Sequence, residues 1–246
     1  IIKNLDKNFF EKIEEIRIRV NKPIILYSQN QEYTVNSNGY LSKDIKLGYK
    51  VVEEDLNKTI EKMSNFSLYS LENELKNGYI TLQGGHRVGI SGKVIIENKK
   101  VKTITNISGL NIRIAHEVYG CSDKIIDYII KDGVKHTMII SPPLCGKTTL
   151  LRDIIRQISN GVNGILEGQT VGVVDERSEI AGCYNGIPQN NIGLRTDVLD
   201  CCPKSEGMIM LLRSMSPKVI AVDEIGGKDD IFAIDEIINA GVKVIC

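Results

Sequence analysis

Apolar residues fall in two different rhythms along this chain of 246 residues. Up to about residue 120 they alternate with polar ones over short stretches. Glu15-Ile16-Arg17-Ile18-Arg19-Val20 alternates, Pro23 interrupts it, and Ile24-Ile25-Leu26-Tyr27 resumes, which predicts two adjacent strands. From Asp55 to about Asn77 the spacing turns helical. Leu56, Ile60 and Met63 share one face, Leu68, Leu71 and Leu75 make a second piece, and Gly78 is the stop. Tyr79-Ile80-Thr81-Leu82 and residues 87–96 read as a hairpin around Gly84-Gly85, and residues 110–115 as a last strand.

Beyond Gly120 the rhythm changes. Ser122 reads as the cap of a short helix carrying Ile125, Ile126, Ile129 and Ile130 on one face, ended by Gly133. There follow a strand at 138–140, a helix from Lys147 to about Ser159, a strand at 172–174, a helix at 205–215, a strand at 219–222, a helix at 231–239 and a strand at 242–245. Short apolar strands alternating with helices predict an α/β domain with a mainly parallel sheet covered on both faces. The expected organisation is a smaller α+β domain over 1–120 and the parallel-sheet domain over 121–246. Pro188 to Pro203 reads as a long polar connection carrying Arg195 and Asp197. A start at Ile1 and an apolar run reaching Cys246 read as a piece of a longer chain, truncated at its C-terminus.

Charge and composition narrow the partners. Lys plus Arg and Asp plus Glu are 31 each, so the net charge is zero, and no basic excess marks a nucleic-acid partner; none is expected. Six cysteines without C-x-x-C spacing and three scattered histidines argue against a disulfide framework or a zinc site, and free thiols fit a reducing compartment. No apolar run approaches the roughly 18 residues that span a bilayer, and Ile1-Ile2-Lys3 is not a signal peptide. The expected location is the cytoplasm, with membrane attachment through partner proteins.

The stretch richest in chemistry is Ser141-Pro142-Pro143-Leu144-Cys145-Gly146-Lys147-Thr148-Thr149. A strand, a tight turn ending Gly-Lys-Thr and an immediate helix are the parts of a phosphate-binding loop. Gly146 lets the backbone approach a phosphate, successive N–H groups and the helix N-terminus cradle the anion, Lys147 reaches the terminal phosphates, and Thr148 offers a hydroxyl to Mg²⁺. Ser141 stands where the motif normally begins with Gly, so a small polar residue has to manage a sharp turn.

Such a site also needs carboxylates. Val219-Ile220-Ala221-Val222-Asp223-Glu224-Ile225-Gly226 ends an apolar strand in two acids, placing Asp223 to hold Mg²⁺ through water and Glu224 to polarise the attacking water. A second strand end, Val173-Val174-Asp175-Glu176-Arg177, shares the edge of a parallel sheet on which ligands bind. Either pair can be the metal pair, and the more uniformly apolar strand before Asp223 favours Asp223-Glu224. Arg195, a catalytic candidate, or Arg213 can reach a γ-phosphate, or each can pair with neighbouring acids.

These motifs are accompanied by Leu150-Leu151-Arg152-Asp153, Ser178-Glu179-Ile180-Ala181-Gly182, Arg195-Thr196-Asp197-Val198-Leu199-Asp200, Pro203-Lys204, Glu206-Gly207-Met208 and Ser214-Met215-Ser216-Pro217. With them the chain resembles the stage III AA family of sporulation proteins from spore-forming Firmicutes, relatives of the type II/IV secretion and pilus ATPases. The resemblance spans most of residues 110–246; the N-terminal part fits more loosely through Arg87-Val88-Gly89 and Gly84-Gly85. It implies a RecA-like P-loop NTPase core behind a smaller N-terminal domain, an ATPase that takes ATP and Mg²⁺ and works as a ring, a hexamer. It further implies a channel between mother cell and forespore, with that channel's membrane proteins as partners. By the same resemblance Asp175-Glu176 is the acidic box between the two nucleotide motifs, which adds Glu176 to the catalytic candidates, and the arginines that the N-terminal domain supplies to complete the site have Arg87 and Arg113 as candidates. The family continues past the last strand into a histidine-bearing sensor segment that this stretch lacks. Two other readings stay open: a nucleotide-gated assembly scaffold with little hydrolysis, and a nucleic-acid-driven motor, which the neutral charge disfavours.

Overall fold

The computed structural model describes residues 2, 5–63, 75, 76, 78–142 and 145–246. Leu68 and Leu71 of the expected second helical piece, and Pro143 and Leu144 of the loop, lie outside the described residues. The chain divides into two compact units, Ile1–His116 and Glu117–Cys246.

After the single turn α1 (Lys7–Phe10), the first unit builds strands β1 (Glu15–Arg19), β2 (Ile25–Ser28), β3 (Gln31–Val35) and β4 (Leu41–Ser42), helix α2 (Glu53–Met63), and β5 (Tyr79–Leu82), β6 (His86–Glu97) and β7 (Lys100–Arg113). They form one sheet in the order β4-β3-β2-β1-β7-β6-β5, with every neighbouring pair antiparallel. Because side chains alternate across a strand, Ile16, Ile18, Leu26, Val88 and Leu110 turn to one face, where Leu56 and Ile60 of α2 close the core. The Gly-Gly turn is closed by the pair Leu82↔His86, and Gly84 and Gly85 both take positive φ (88° and 75°). The strand read at 87–96 is β6, whereas sequence reading missed β3 and β4, which are short and polar, and the part of β7 before Leu110. The β6–β7 hairpin turns at Asn98 (φ 51°) and Lys99 (φ 61°), the left-handed pair that a two-residue hairpin turn demands.

In the second unit α3 (Ile126–Ile130) and α4 (Lys147–Asn160) precede a small hairpin, β8 (Gly161–Val162) and β9 (Leu166–Glu167). Then come β10 (Val171–Asp175), β11 (Thr196–Asp200), α5 (Lys204–Ser214), β12 (Val219–Val222), α6 (Lys228–Asn239) and β13 (Lys243–Ile245). The sheet order is β11-β10-β12-β13, all parallel. Residues 137–139 extend it beyond β13. Thr137 bridges Ile245 in parallel, its N–H donates to Val244 O (2.9 Å), and Ile139 N–H donates to Cys246 O (2.6 Å). The expected strand at 138–140 is therefore displaced toward Thr137, and Met138 and Ile140 are exposed while Ile139 packs inward.

Both faces of the parallel sheet are covered. Val171, Val173, Val219 and Ala221 face a core shared with α3 and α4, whereas Val174, Ile220, Val222 and Val244 face α5 and α6. Two expectations are corrected. Residues 188–203 are not wholly a connection, since Thr196–Asp200 pairs in parallel with β10 as the edge strand. Its alternation of Thr, Asp, Val, Leu and Asp hides it, because Val198 joins one core and Leu199 the other. Ser122 does not cap α3 with its side chain; its Oγ donates to Asp153 Oδ2 (2.6 Å), and α3 starts from Ile125 without a side-chain cap.

Candidate functional site

The phosphate loop leaves the sheet edge at Ser141 and enters α4 at Lys147. Gly146 is the N-cap, at φ 82° and ψ 19°. A Cβ there would meet nothing within 4 Å, so it is the left-handed backbone and not crowding that asks for glycine. Ser141 has no positive φ, which explains how serine replaces the usual glycine. Lys147 turns back over the loop: its Nζ donates to Ser141 O (3.0 Å) and Pro142 O (3.2 Å). Thr148 and Thr149 lie in the first turn of α4, where backbone N–H groups point out of the helix end.

Strand C-termini converge on the same edge. A cavity of about 450 Å³ is lined there by Ser141 and Lys147 on one side and Asp223, Glu224 and Ile225 on the other, with Leu151 and Cys246 between. β13 stands between the loop's strand and β12, so the loop and the acids are about two strand spacings apart, roughly 10 Å. That leaves room for a phosphate chain. Burial pushes the Asp223 carboxyl above its usual value, and the charges of Glu179, Glu224 and Asp175 add to it. Crowded carboxylates of this kind are relieved by a cation. Among the described residues no group of three or more His, Cys, Asp or Glu is arranged to hold a metal. The donors present, Asp223 and the Thr148 hydroxyl, suit Mg²⁺, which takes one or two protein oxygens and completes its shell with water and phosphate.

After Asp223-Glu224 the chain turns through Gly226 and Gly227, whose N–H groups donate to Asp230 Oδ2 (3.0 and 3.1 Å). Those bonds hold Asp230 below the usual carboxylate range against the opposing effect of its burial. The other acidic strand end is built differently. Asp175 is fully buried and accepts N–H bonds from Glu179 (2.8 Å), Ile180 (3.0 Å) and Ala181 (2.8 Å). Even so, burial pushes its carboxyl up. Arg152 of α4 reaches the carbonyls of the same turn, donating from Nε to Ile180 O (2.6 Å) and from an Nη to Glu179 O (2.7 Å). Burial lowers the Arg152 pKa, and the charge of Asp175 opposes that. The turn is thus clamped between an acid that takes its N–H groups and an arginine, five residues past Lys147, that takes its carbonyls. Ser178 sits in it at φ 54° with Oγ donating to Asp200 Oδ1 (2.6 Å). The clamped turn presents Arg177, whose guanidinium lies 3.5 Å from Glu224.

Of the candidates named from sequence, the cavity unites Ser141, Lys147, Asp223 and Glu224. Pro142, Cys145, Gly146, Thr148 and Thr149 lie on the adjoining loop and helix start. Glu176 is elsewhere, in an ion pair with Lys204 Nζ (2.9 Å) at the start of α5. Arg195 precedes β11 and donates to Ser159 O (3.0 Å) near the end of α4, at the edge opposite the phosphate loop. That position keeps it away from the cavity of its own chain, because a parallel sheet separates its two ends by the full length of its strands. Arg213 ends α5 toward the same far edge. In the first unit Arg87 and Arg113 are cross-strand neighbours; Arg87 lies over the Tyr79 ring (3.9 Å) and Arg113 lies 3.8 Å from Glu15. Sequence reasoning gave no role to Arg152, Arg177 or Asp230. The signals were a helix arginine beside a buried acid and an Asp three residues after a Gly-Gly pair.

A phosphate loop and an acidic strand end set on one edge of a parallel sheet with helices on both faces define the fold class of the P-loop secretion ATPases. Solved structures share it. The Legionella pneumophila ATPase DotB superimposes with a TM-score of 0.58 at 17% identity, over 95% of this chain and 61% of that one. The pilus retraction motor PilT, solved with bound ADP, gives 0.59 at 16% identity, over 97% of this chain and 64% of that one. The chain spans less than two thirds of either structure. Within that class it belongs to the family described as Sporulation stage III, protein AA, whose model matches residues 1–246. It is 47% identical over 234 residues to the Stage III sporulation protein AA of Bacillus subtilis (strain 168), covering 95% of this chain and 72% of the Bacillus one.

Proposed function

We propose that this chain binds ATP with Mg²⁺ in the cavity between Ser141-Lys147 and Asp223-Glu224 and hydrolyses it, as one subunit of a ring serving a sporulation channel between mother cell and forespore. The observation that carries this reading is the cavity itself, which sets a lysine-bearing loop at a helix N-terminus against two carboxylates. Lys147 exchanges the carbonyls of Ser141 and Pro142 for phosphate oxygens, and the N-terminal N–H groups of α4 hold the remaining charge. Thr148, and Asp223 through water, would hold Mg²⁺, which would supply positive charge against the phosphate oxygens. Glu224 orients the attacking water, and Arg177, 3.5 Å away, steers that carboxylate. Arg87 and Arg113 are proposed to serve a neighbouring subunit's nucleotide, in keeping with their places as neighbours on β6 and β7.

The test is Mg²⁺-dependent phosphate release with ATP. Lys147→Ala is expected to lower turnover by about 10²–10³-fold, and Glu224→Gln to abolish it while ATP still binds in a calorimeter. Undiminished turnover in both variants removes the proposed site. ATP binding without turnover in the unsubstituted chain selects the nucleotide-gated scaffold instead.

A further inference from the structure

The hairpin β6–β7 runs past the rest of its sheet. β1 pairs with β7 only from Gly109 to Arg113, and β5 pairs with β6 only from His86 to Gly89. Between Ser91 and the turn at Asn98-Lys99 the two strands pair with one another. Only its inner part has a second layer, where α2 residues and Leu75 line a cavity with residues 103–107; the tip beyond is a two-stranded ribbon, marginal alone and held at its base.

Its side chains are sorted by face. The register sets Val94 opposite Ile104 and Ile96 opposite Val101, and directly opposed residues share a face. Ile104 is buried, but Val94, Ile96 and Val101 are 46%, 67% and 38% exposed. Around them stand Lys93, Lys99, Lys100 and Lys102, against one acid, Glu97, which Lys102 takes at 3.1 Å. The whole chain is neutral, so this positive charge is local.

We infer that the outer half of this hairpin is a membrane-contacting arm that sets its apolar face into the interface of an anionic bilayer while its lysines meet the lipid headgroups. Three neighbouring apolar side chains are too few for a stable protein interface, which needs about 800 Å² per partner. An anionic lipid surface asks for less: a few apolar side chains at headgroup depth and several cations beside them, acting together. The β-turn at the tip leads with Lys99, and Ile96 and Val101 follow immediately behind it. The inference does not depend on the nucleotide site, which lies in the other unit.

The test is sedimentation of the full chain with vesicles of phosphatidylglycerol and phosphatidylcholine, and with phosphatidylcholine alone. Binding is expected with the anionic vesicles only, falling as salt rises. The double variant Ile96→Ser with Val101→Ser is expected to weaken it at least ten-fold, and Lys99→Glu with Lys100→Glu to abolish it. All four positions are exposed, and unchanged thermal unfolding of the variants verifies their folding. Absence of binding to anionic vesicles at low salt overturns the inference, as does binding that the apolar pair does not affect. A change of oligomeric state in the apolar variant without vesicles also overturns it, because the face then belongs to a second copy of the chain.

Discussion

At the end of β10 stands Val174-Asp175-Glu176, and at the end of β12 stands Val222-Asp223-Glu224. As strings they are nearly the same, and both leave the sheet at the same edge. Asp175 is consumed by its own turn, with its oxygens accepting three backbone N–H groups. Asp223 is not, because the N–H groups of the turn after β12 go to Asp230, from the first turn of α6. A turn after a strand needs an acceptor for its buried N–H groups. Where a later residue supplies one, the acid at the strand end is left for chemistry; where none does, that acid becomes structure. Glu176 and Glu224 diverge in the same way, one pairing with Lys204 of a neighbouring helix and the other lining the cavity beside Arg177.

Substitutions sharpen this contrast. The largest stability loss is expected for Asp175→Ala, which leaves three N–H groups unpaired, two of them buried, at about 1–3 kcal/mol each; urea unfolding should show roughly 4 kcal/mol or more. Asp223→Ala should do the reverse, lowering ATP turnover about 10²–10³-fold with no loss of stability, since it removes a carboxyl whose burial is uncompensated. If both substitutions destabilise equally, the contrast fails. Arg152→Lys keeps a charge but not two fixed donors, and should cost about 1–2 kcal/mol while reducing turnover with an unchanged KM for ATP. Asp230→Asn should cost about 1 kcal/mol, seen as a small drop in Tm.

Acid titration separates the aspartates further. Ser122, Arg156 and Gly120 hold Asp153 well below its ordinary 3.8 despite its burial. Its contribution is therefore complete above about pH 4 and is lost as pH falls further toward the folded-state value. The gap in Tm between the unsubstituted chain and Asp153→Asn should close over that range. Asp223 has the opposite sign: its folded-state value is raised, so it weakens the native state at neutral pH and ceases to do so as pH falls through that value. The Tm gain of Asp223→Asn should accordingly shrink on acidification.

Much of the second unit is legible in the sequence because its strands are buried on both faces and its helices amphipathic, so apolar runs mark them. Helices α4, α5 and α6 begin at Lys147, Lys204 and Lys228, the first at the position read from spacing and the others one and three residues before it. β11 escapes because an edge strand with acids at Asp197 and Asp200 looks like a loop. Arg195 was misplaced for the same reason, since only the strand reveals which end of the sheet it occupies. The clamp of Arg152 and Asp175 was beyond reach, because its partners are backbone groups and nothing in the side-chain spelling of residues 179–181 announces them. In the first unit β6 shows in its apolar positions, whereas the polar outer part of β7, from Lys100 to Gly109, hides the length of that strand.

Pairing of residues 137–139 with the end of β13 also has a consequence in time. Thr137 and Cys246 are 109 positions apart, yet the strand that launches the phosphate loop has its backbone partners there. During synthesis α4, β10, β11 and β12 leave the ribosome first, and the loop gains its backing strand only when the last of these residues emerges. The cavity at that edge is thus among the last parts of the unit to be completed, and a nascent chain halted before Lys243 should be cut readily by protease ahead of Lys147 while its helices are already protected.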